Sequence, residues 1–315
     1  MRDSFVRMLT EMAAENQDIC LITGDLGFGV FTNFKERFPY QYINAGVAEQ
    51  NMLGIATGLA LTGKTIFAYS IGNFPTLRCL EQIRNDACYH DANVKIVTVG
   101  GGFSYGSLGI SHHATEDISI MRSLPNITVV CPGDRWEAAR ATAALAQLPG
   151  TCYLRLDKSY APDTNESNEV FNVGKARKIV EGSDATLIAT GGILSEALIA
   201  AEELRNREIK CRVISMHTIK PLDEAALHAA CHETAGIITI EENTIDGGLG
   251  SAVAETCLEN GERPGFFHRI GLRAGFSCIV GSQAYLRKQY GMDAASIAST
   301  VETHLSNHSR MEVMN

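Results

Sequence analysis

A single glutamate, Glu49, stands where a short extended segment gives way to a helix, a place suited to chemistry. Residues 40–43 lead to Ala45-Gly46, and an apolar, Gly- and Ala-rich helix is predicted over 47–61. A carboxylate held in the first turn of that helix, facing into the fold, could share a proton with a bound ligand. Local rules also explain it, because the helix dipole favours an acidic residue there. The assignment therefore depends on the rest of the chain.

Further candidate residues follow the ends of other predicted strands, and they are Asp25, Ile71, Phe74, His112 and His113. Open α/β sheets bind ligands at the carboxyl ends of their strands, so Glu49, Phe74 and His112 could meet on one rim. Each has an ordinary explanation too: a core aromatic for Phe74, a turn residue for Asp25, a solvated loop residue for His113. The adjacent histidines lack a carboxylate at ligand spacing, so we predict no metal site here.

Composition and charge are typical of a soluble globular protein and exclude several partners. The net charge is −9 and no basic cluster exceeds a couple of residues, so nucleic acid and anionic membranes are not expected partners. The longest apolar runs are too short to span a bilayer, and the first residues lack a signal-peptide core. Nine scattered cysteines without C-x-x-C spacing indicate reduced, buried thiols, which predicts a cytoplasmic protein.

The alternation of strands and helices predicts an α/β protein with two domains. Strands are predicted over 19–23, 40–43, 65–69, 94–99, 127–130, 151–156, 185–189, 212–216, 236–240 and near His268, with a long helix over 73–90. Strands that are apolar on both sides indicate mainly parallel sheets flanked by helices. The sheet of the second domain could also contain antiparallel strands. A Pro-, Asn-, Ser- and Glu-rich stretch predicts a linker over 161–171 between domains 1–160 and 172–315.

Several sequence blocks carry a resemblance to a known family. Those in the first half are G-V-A-E-Q-N-M at 46–52 and S-H-H-A-T-E-D at 111–117. Those in the second half are I-A-T-G at 188–191, M-H-T-I-K-P-L-D at 216–223, E-E at 241–242 and G-G-L-G-S at 247–251. With these blocks the whole chain resembles the transketolase family, specifically its C-terminal half encoded as a separate subunit. Residues 1–160 resemble the pyrimidine-binding domain, and residues 172–315 resemble the transketolase C-terminal domain.

This resemblance implies a thiamine-diphosphate enzyme and assigns residues to the cofactor. Glu49 is the implied partner of ring nitrogen N1′, where a carboxyl group stabilises the imino form of the cofactor's own base. Phe74 is the implied aromatic against the aminopyrimidine ring, and Ile71 stands where fuller versions of the pattern carry another aromatic. Asp25 matches an aspartate at a strand end near the cofactor.

The resemblance also implies substrate contacts. His112 matches a histidine that contacts cofactor and substrate oxygens and can shuttle a proton, so it joins Glu49 as a candidate catalytic residue. His113 stands where the family usually has glutamine and is a second implied substrate contact. Arg155 matches an arginine that binds the substrate phosphate, although a surface or interdomain ion pair explains it equally well.

One part of the cofactor site is missing from the sequence. The superfamily marks its Mg²⁺ site by G-D-G with an asparagine further along, and Gly24-Asp25-Leu26 does not match that motif. The resemblance therefore implies that a separate N-terminal transketolase subunit carries the Mg²⁺ and diphosphate site. Thiamine diphosphate would lie between the chains, in a heterotetramer with two copies of each.

The substrate end departs from the family as well. Leu108 replaces an aspartate that reads a ketose hydroxyl, a phosphate-binding histidine near Gly101 is missing, and Gly29 replaces a serine. A site built to bind a hydroxyl discriminates strongly, so these losses favour a non-standard sugar phosphate. The implied reaction is still transfer of a two-carbon ketol unit from a ketose phosphate to an aldose phosphate.

Three alternatives stay open at this point. A 2-oxo acid decarboxylating enzyme, of the deoxyxylulose-phosphate synthase or oxo-acid dehydrogenase beta type, would keep the cofactor and change the reaction. A non-catalytic assembly subunit would keep the fold without needing both Glu49 and His112. A dinucleotide-binding protein fits poorly, because neither 100–102 nor 247–250 forms G-x-G-x-x-G at the required place.

Overall fold

Two open sheets organise the chain in the computed structural model, which describes residues 1–273 and 275–314. The strands are β1 Ile19–Thr23, β2 Tyr42–Asn44, β3 Thr65–Ile71, β4 Val94–Val99, β5 Ile127–Val130, β6 Thr151–Leu156, β7 Arg177–Val180, β8 Ala185–Thr190, β9 Cys211–Ser215, β10 Thr218–Lys220, β11 Gly236–Thr244 and β12 Phe266–Leu272. The helices are α1 Arg2–Glu15, α2 Thr32–Arg37, α3 Glu49–Leu61, α4 Asn73–Leu77, α5 Leu80–Gln82, α6 Asp117–Ser123, α7 Arg135–Gln147, α8 Leu194–Arg205, α9 Glu224–Glu233, α10 Leu249–Glu259, α11 Gln283–Gln289 and α12 Ala294–Met314. The predicted α/β class, with mainly parallel sheets flanked by helices, is confirmed.

The first sheet has seven strands in the order β10-β5-β6-β4-β3-β1-β2. Strands β1 to β6 run parallel, and β10 adds to β5 in antiparallel orientation, with Thr218 opposite Val130. A strand from the second half of the chain therefore completes the sheet of the first half. The sequence did not reveal β10, because three residues are too few to show a strand period.

The second sheet has five strands in the order β12-β11-β8-β9-β7. All its pairs are parallel except that of β7 with β9, so the sheet is mixed. Strand β7 was also missed by the sequence analysis. It is a short edge strand in which only Arg177 is buried, so its residues show no apolar alternation.

The long helix predicted over 73–90 is interrupted in the structure. It consists of α4, α5 and a π-helical turn at Ile83–Cys88, in which the Tyr89 amide donates to the Arg84 carbonyl five residues back. The first break falls at Cys79, whose backbone leaves the helical region with φ −110° and ψ 16°. Because the buried residues Cys79, Ile83 and Ala87 keep a spacing of four along the whole segment, periodicity alone could not show the breaks.

The central strands are buried on both faces. Every residue of β1, β4 and β6 is buried, which agrees with their two-sided apolar sequences. Eight of the nine cysteines are buried and Cys278 is exposed. Burial raises the pKa of the Cys79 thiol to about 12, so that this sulfur stays protonated. Within the described residues, no helix is long and apolar enough to cross a membrane.

A buried guanidinium, that of Arg155 on β6, connects the two halves. Its side chain is 1% exposed, and its Nε donates to Asp117 Oδ2 at 2.8 Å. Its Nη2 donates to the carbonyls of Ala114 and Glu242, at 3.1 and 3.0 Å, and its Nη1 lies 3.4 Å from Asp157 Oδ1. Three of these partners belong to the first half and Glu242 belongs to the second, so one buried side chain joins the two halves.

The carboxylate of Glu242 extends this interdomain network. It accepts hydrogen bonds from the Phe103 amide, from Gln283 Nε2 at 2.8 Å and from Arg287 Nε. The Arg287 side chain is 3% exposed and that of Glu242 1%. Buried charges are tolerated only when they are paired and hydrogen-bonded, and each group here meets that condition.

Replacing Arg155 with methionine should lower the free energy of unfolding by about 3–5 kcal/mol, because it leaves buried carboxylates without their cation. The matched control is Arg205→Met, which breaks an exposed pair with Glu202 and should cost under about 1 kcal/mol. Denaturant unfolding followed by circular dichroism measures both. Equal midpoints for the two variants would contradict this account of the network.

Candidate active site

Glu49, Phe74 and His112 lie together on one rim, and Arg78 links two of them. Arg78 Nη1 donates to Glu49 Oε1 at 2.9 Å, and the guanidinium carbon lies 4.2 Å from the centre of the Phe74 ring. The Phe74 and His112 rings meet edge to face, with 5.2 Å between their centroids. The structure thus brings the three predicted residues into one continuous chain of contacts at the carboxyl ends of the strands.

Arg78 is one of the residues of this site that were not predicted from the sequence. It follows Phe74 by four positions, and residues four apart on a helix lie on the same face. That spacing could have indicated a contact between the two side chains, because an arginine over an aromatic face is a favourable pair. The Arg78 side chain is 52% exposed, which leaves its guanidinium accessible from the rim.

The turn before Glu49 is held by the side chain of Asn44. Asn44 Oδ1 accepts hydrogen bonds from the backbone amides of Asp25 and Gly46, at 2.9 and 3.0 Å. Gly46 adopts φ +73°, a conformation that favours glycine, and α3 begins three residues later. The Glu49 side chain is only 8% exposed, so this turn delivers a carboxylate into a largely enclosed position.

Asp25 belongs to the same turn. Its carboxylate accepts a hydrogen bond from Asn44 Nδ2 at 3.0 Å, and its own backbone has φ +55°. The residue is exposed and joins the ends of β1 and β2. The structure therefore places Asp25 on the predicted rim, in the turn role that was its ordinary explanation.

His112 is half-buried at the rim. Its Nδ1 lies 3.0 Å from Ser111 Oγ, and its ring centroid lies 6.0 Å from that of Tyr105. Partial burial, with the nearby charge of Arg78 and the influence of His113, lowers the pKa of the imidazole below its ordinary value. His112 is therefore neutral at physiological pH and able to accept a proton.

His113 points into the protein instead. It is completely buried, its Nε2 lies 3.0 Å from the Gly106 carbonyl oxygen, and its ring packs edge to face on Phe103 at 5.1 Å. The Asn73 side chain donates to its backbone carbonyl at 2.6 Å. The implied substrate contact and the solvated-loop explanation are both at odds with this placement, because adjacent residues of this loop face opposite ways. The two histidines therefore do not face a common metal position.

Arg155 is also buried away from solvent. Its guanidinium is enclosed by the interdomain network described above and is 1% exposed. A phosphate would have to displace carboxylates and carbonyls that the guanidinium already satisfies. The structure thus supports the interdomain ion pair that was the alternative for Arg155, and argues against phosphate binding.

A different cation lies near His112. Lys158 Nζ sits 4.5 Å from the centre of the Tyr105 ring, and that ring is the one that contacts His112. Lys158 is exposed, and Tyr105 is half-buried. The sequence analysis passed over both, since neither belongs to a motif that it recognised.

The part of the rim around Glu49 and Phe74 has the features that bind a planar heterocycle. Within the described residues, Arg78 is the side chain that hydrogen-bonds Glu49. The Glu49 oxygen that accepts this bond is Oε1, so Glu49 Oε2 is left for a ligand. Phe74 is half-buried and presents part of its ring. Ile71, the last residue of β3, is half-buried and supplies apolar surface.

Comparison with known proteins places the chain in a family. The family model "Transketolase, pyrimidine binding domain" matches residues 1–163, and "Transketolase, C-terminal domain" matches residues 174–297. The chain is 36% identical to one of the subunits of an apulose-4-phosphate transketolase from Phocaeicola vulgatus, covering 95% of each protein. It is 37% identical to a 6-deoxy-6-sulfo-D-fructose transketolase subunit from a Clostridium species, covering 94% of this chain and 92% of that one.

A solved structure is similar over nearly the whole chain. It is described as a "Split gene transketolase, inactive beta4 tetramer" and superposes with a TM-score of 0.87 at 34% identity. The match covers 97% of both chains. The likeness therefore includes both sheets and the segment that joins them.

Removing the positive charge of Arg78 should raise the pKa of His112 toward its ordinary value, because that charge is one cause of the lowered pKa. An NMR titration of the His112 ring protons in the Arg78→Met variant measures the change. Arg84→Met, which removes an exposed arginine that bonds Asn85, is the matched control and should leave the titration unchanged. An unchanged His112 pKa in Arg78→Met would contradict the proposed electrostatic contact.

Proposed function

The chain belongs to the transketolase family, and we propose that it is the C-terminal subunit of a two-chain transketolase that uses thiamine diphosphate. The observation that carries this proposal is the set of contacts from Glu49 through Arg78 and Phe74 to His112. A carboxylate, an aromatic ring and a neutral imidazole on one rim are the groups that this cofactor chemistry needs from such a subunit.

The similarity to separate subunits supports the need for a partner. This chain matches more than nine-tenths of the length of the two relatives that are named as transketolase subunits. We propose that an N-terminal transketolase subunit provides the diphosphate and Mg²⁺ site, and that two copies of each chain form a heterotetramer. The related split-gene structure is described as an inactive tetramer of beta chains, which fits a subunit that needs its partner for activity.

The residues present fit the pyrimidine half of thiamine diphosphate. Bound thiamine diphosphate supplies the nucleophilic carbon that accepts the two-carbon unit. Glu49 would hold a proton between its free Oε2 and the pyrimidine ring nitrogen, while Arg78 fixes the other oxygen. Phe74 and Ile71 would pack on the ring, and Asp25 would position Glu49 through Asn44.

His112 would act on the sugar. Its Nδ1 lies against Ser111, which leaves Nε2 to face a substrate hydroxyl. Because its lowered pKa keeps it neutral, Nε2 can take the proton of that hydroxyl as the carbon–carbon bond breaks and return it when the new bond forms. His113 and Arg155, both buried, are left out of the proposed substrate contacts.

The proposed substrate is a non-standard ketose phosphate. Leu108 is 54% exposed at this end of the site, where the family pattern has a carboxylate. Lys158 is the cation we propose for the anionic group of the sugar, in place of Arg155. The two relatives named for apulose 4-phosphate and 6-deoxy-6-sulfo-D-fructose indicate that such subunits serve unusual sugars.

Glu49→Ala should abolish turnover by the two-chain enzyme, and Glu49→Gln should reduce it by roughly 10²–10⁴-fold, because proton sharing by a carboxyl is lost. The assay measures ketol transfer after mixing with the partner subunit, and the chain alone should give no turnover. Glu15→Gln, at the end of α1, is the matched control. Wild-type turnover by Glu49→Ala with cofactor bound would contradict the role of Glu49, and turnover without a partner would contradict the two-chain proposal.

A panel of donors tests the substrate. Xylulose 5-phosphate should be a poor donor, while branched or terminally modified ketose phosphates should be better, because the polar contacts for the ordinary sugar are missing. In the same assay, Lys158→Met should raise KM for the phosphorylated donor with little change in kcat. Full activity on xylulose 5-phosphate would overturn the substrate proposal, and release of carbon dioxide from pyruvate would favour the 2-oxo acid alternative.

A further inference from the structure

A second cluster of chemically capable residues lies in the second half of the chain. His228 and His232 stand one turn apart on α9, and Glu262 follows α10. His228 Nδ1 lies 2.5 Å from Glu262 Oε1, and His232 Nε2 lies 2.8 Å from Glu262 Oε2. One nitrogen or oxygen from each residue falls within 4.8 Å of those of the other two. This cluster shares no residue with the rim around Glu49.

The surrounding contacts hold the three side chains close together. Beneath them, Cys231 on α9 and Cys257 on α10 pack with their sulfur atoms 3.7 Å apart. The Glu262 amide donates to the Cys257 carbonyl at 2.7 Å, and the Asn260 side chain donates to Glu224 at 3.3 Å. The carboxylate is therefore presented to the two imidazoles by a segment that is tied to both helices.

Three donor groups converge in this cluster, where an ordinary ion pair needs only two. The two imidazole rings are only 4.5 Å apart, and a nitrogen of each lies against a different oxygen of the same carboxylate. Both imidazoles are well exposed, so a metal ion can reach them from solvent. Two imidazoles and one carboxylate that converge on one point form a ligand set for a metal ion.

We propose that His228, His232 and Glu262 form a surface site for a divalent transition metal, for which Zn²⁺ is the best fit. Imidazole and carboxylate ligands suit Zn²⁺, whereas Mg²⁺ and Ca²⁺ prefer oxygen ligands alone. Bonds of about 2.1 Å in tetrahedral geometry place ligand atoms roughly 3.4 Å apart, a small adjustment from the separations observed here. Three protein ligands leave one coordination position for water.

The bound metal would clip α9 to the segment after α10. Such a clip stabilises the folded second half, because the ion binds three groups that converge only when both helices are in place. No metal ligand was predicted from the sequence, because a pair of histidines four residues apart shows its carboxylate partner only once α9 and α10 are packed together. The proposal stands apart from the proposed function, and its test needs no partner subunit and no turnover.

The experiment is a Zn²⁺ titration of the full chain by isothermal calorimetry, in a Cys278→Ser background that removes the exposed thiol. We expect one site per chain. His228→Ala, His232→Ala and Glu262→Gln should each weaken Zn²⁺ binding by more than roughly tenfold. Loss of a group that only hydrogen-bonds a metal ligand already costs about that much, and loss of the ligand itself should cost more. His90→Ala removes an exposed imidazole elsewhere and should bind like the parent.

Thermal unfolding gives a second, independent readout. Saturating Zn²⁺ should raise the Tm of the parent and of His90→Ala but not that of His232→Ala, while Mg²⁺ should change none of them. Unchanged affinity in His228→Ala or Glu262→Gln would overturn the assignment of ligands. Zn²⁺ binding by the parent no stronger than by the variant lacking all three groups would overturn the site itself.

Discussion

The buried guanidinium of Arg155 is the interaction on which the arrangement of this molecule depends. It ties β6 to Asp117 and to the Ala114 carbonyl, and so it fixes the loop that carries His112 to the rim. Its bond to the Glu242 carbonyl fixes the second half against the same loop. A charge this deeply buried must keep all its partners, so the position of His112 and the packing of the two halves are set together. An arginine that the family pattern associates with substrate thus acts here as an architectural residue.

Much of the fold could be predicted from the sequence, because a strand that is buried on both faces appears as a short, mostly apolar run. Strands β1, β4, β5 and β6 begin and end at the residues predicted, since each is a short, mostly apolar and largely buried run. The edge strands β7 and β10 could not be read in the same way. They are short, and their pairing depends on a neighbour that is distant in the chain.

The site shows the same division between local and tertiary information. Glu49, Phe74 and His112 lie in motifs that follow strand ends, and topology brings strand ends to one edge. The types of His113 and Arg155 carry no sign of how deeply each is buried, and burial alone separates them from the rim. Arg78 shows the converse case: it has no motif of its own, and its importance appears only from the two side chains that it touches.

Strand β10 has a consequence for how the polypeptide is made. It covers the outer edge of β5, whose backbone N–H and C=O groups would otherwise be unpaired and could bind a strand of another chain. During synthesis the first six strands emerge long before residues 218–220, so the nascent sheet carries an open edge while about sixty more residues are translated. The first half therefore cannot complete its sheet until part of the second half has been made. The last strand of its sheet belongs to the second half of the chain, so the second half takes part in folding the first.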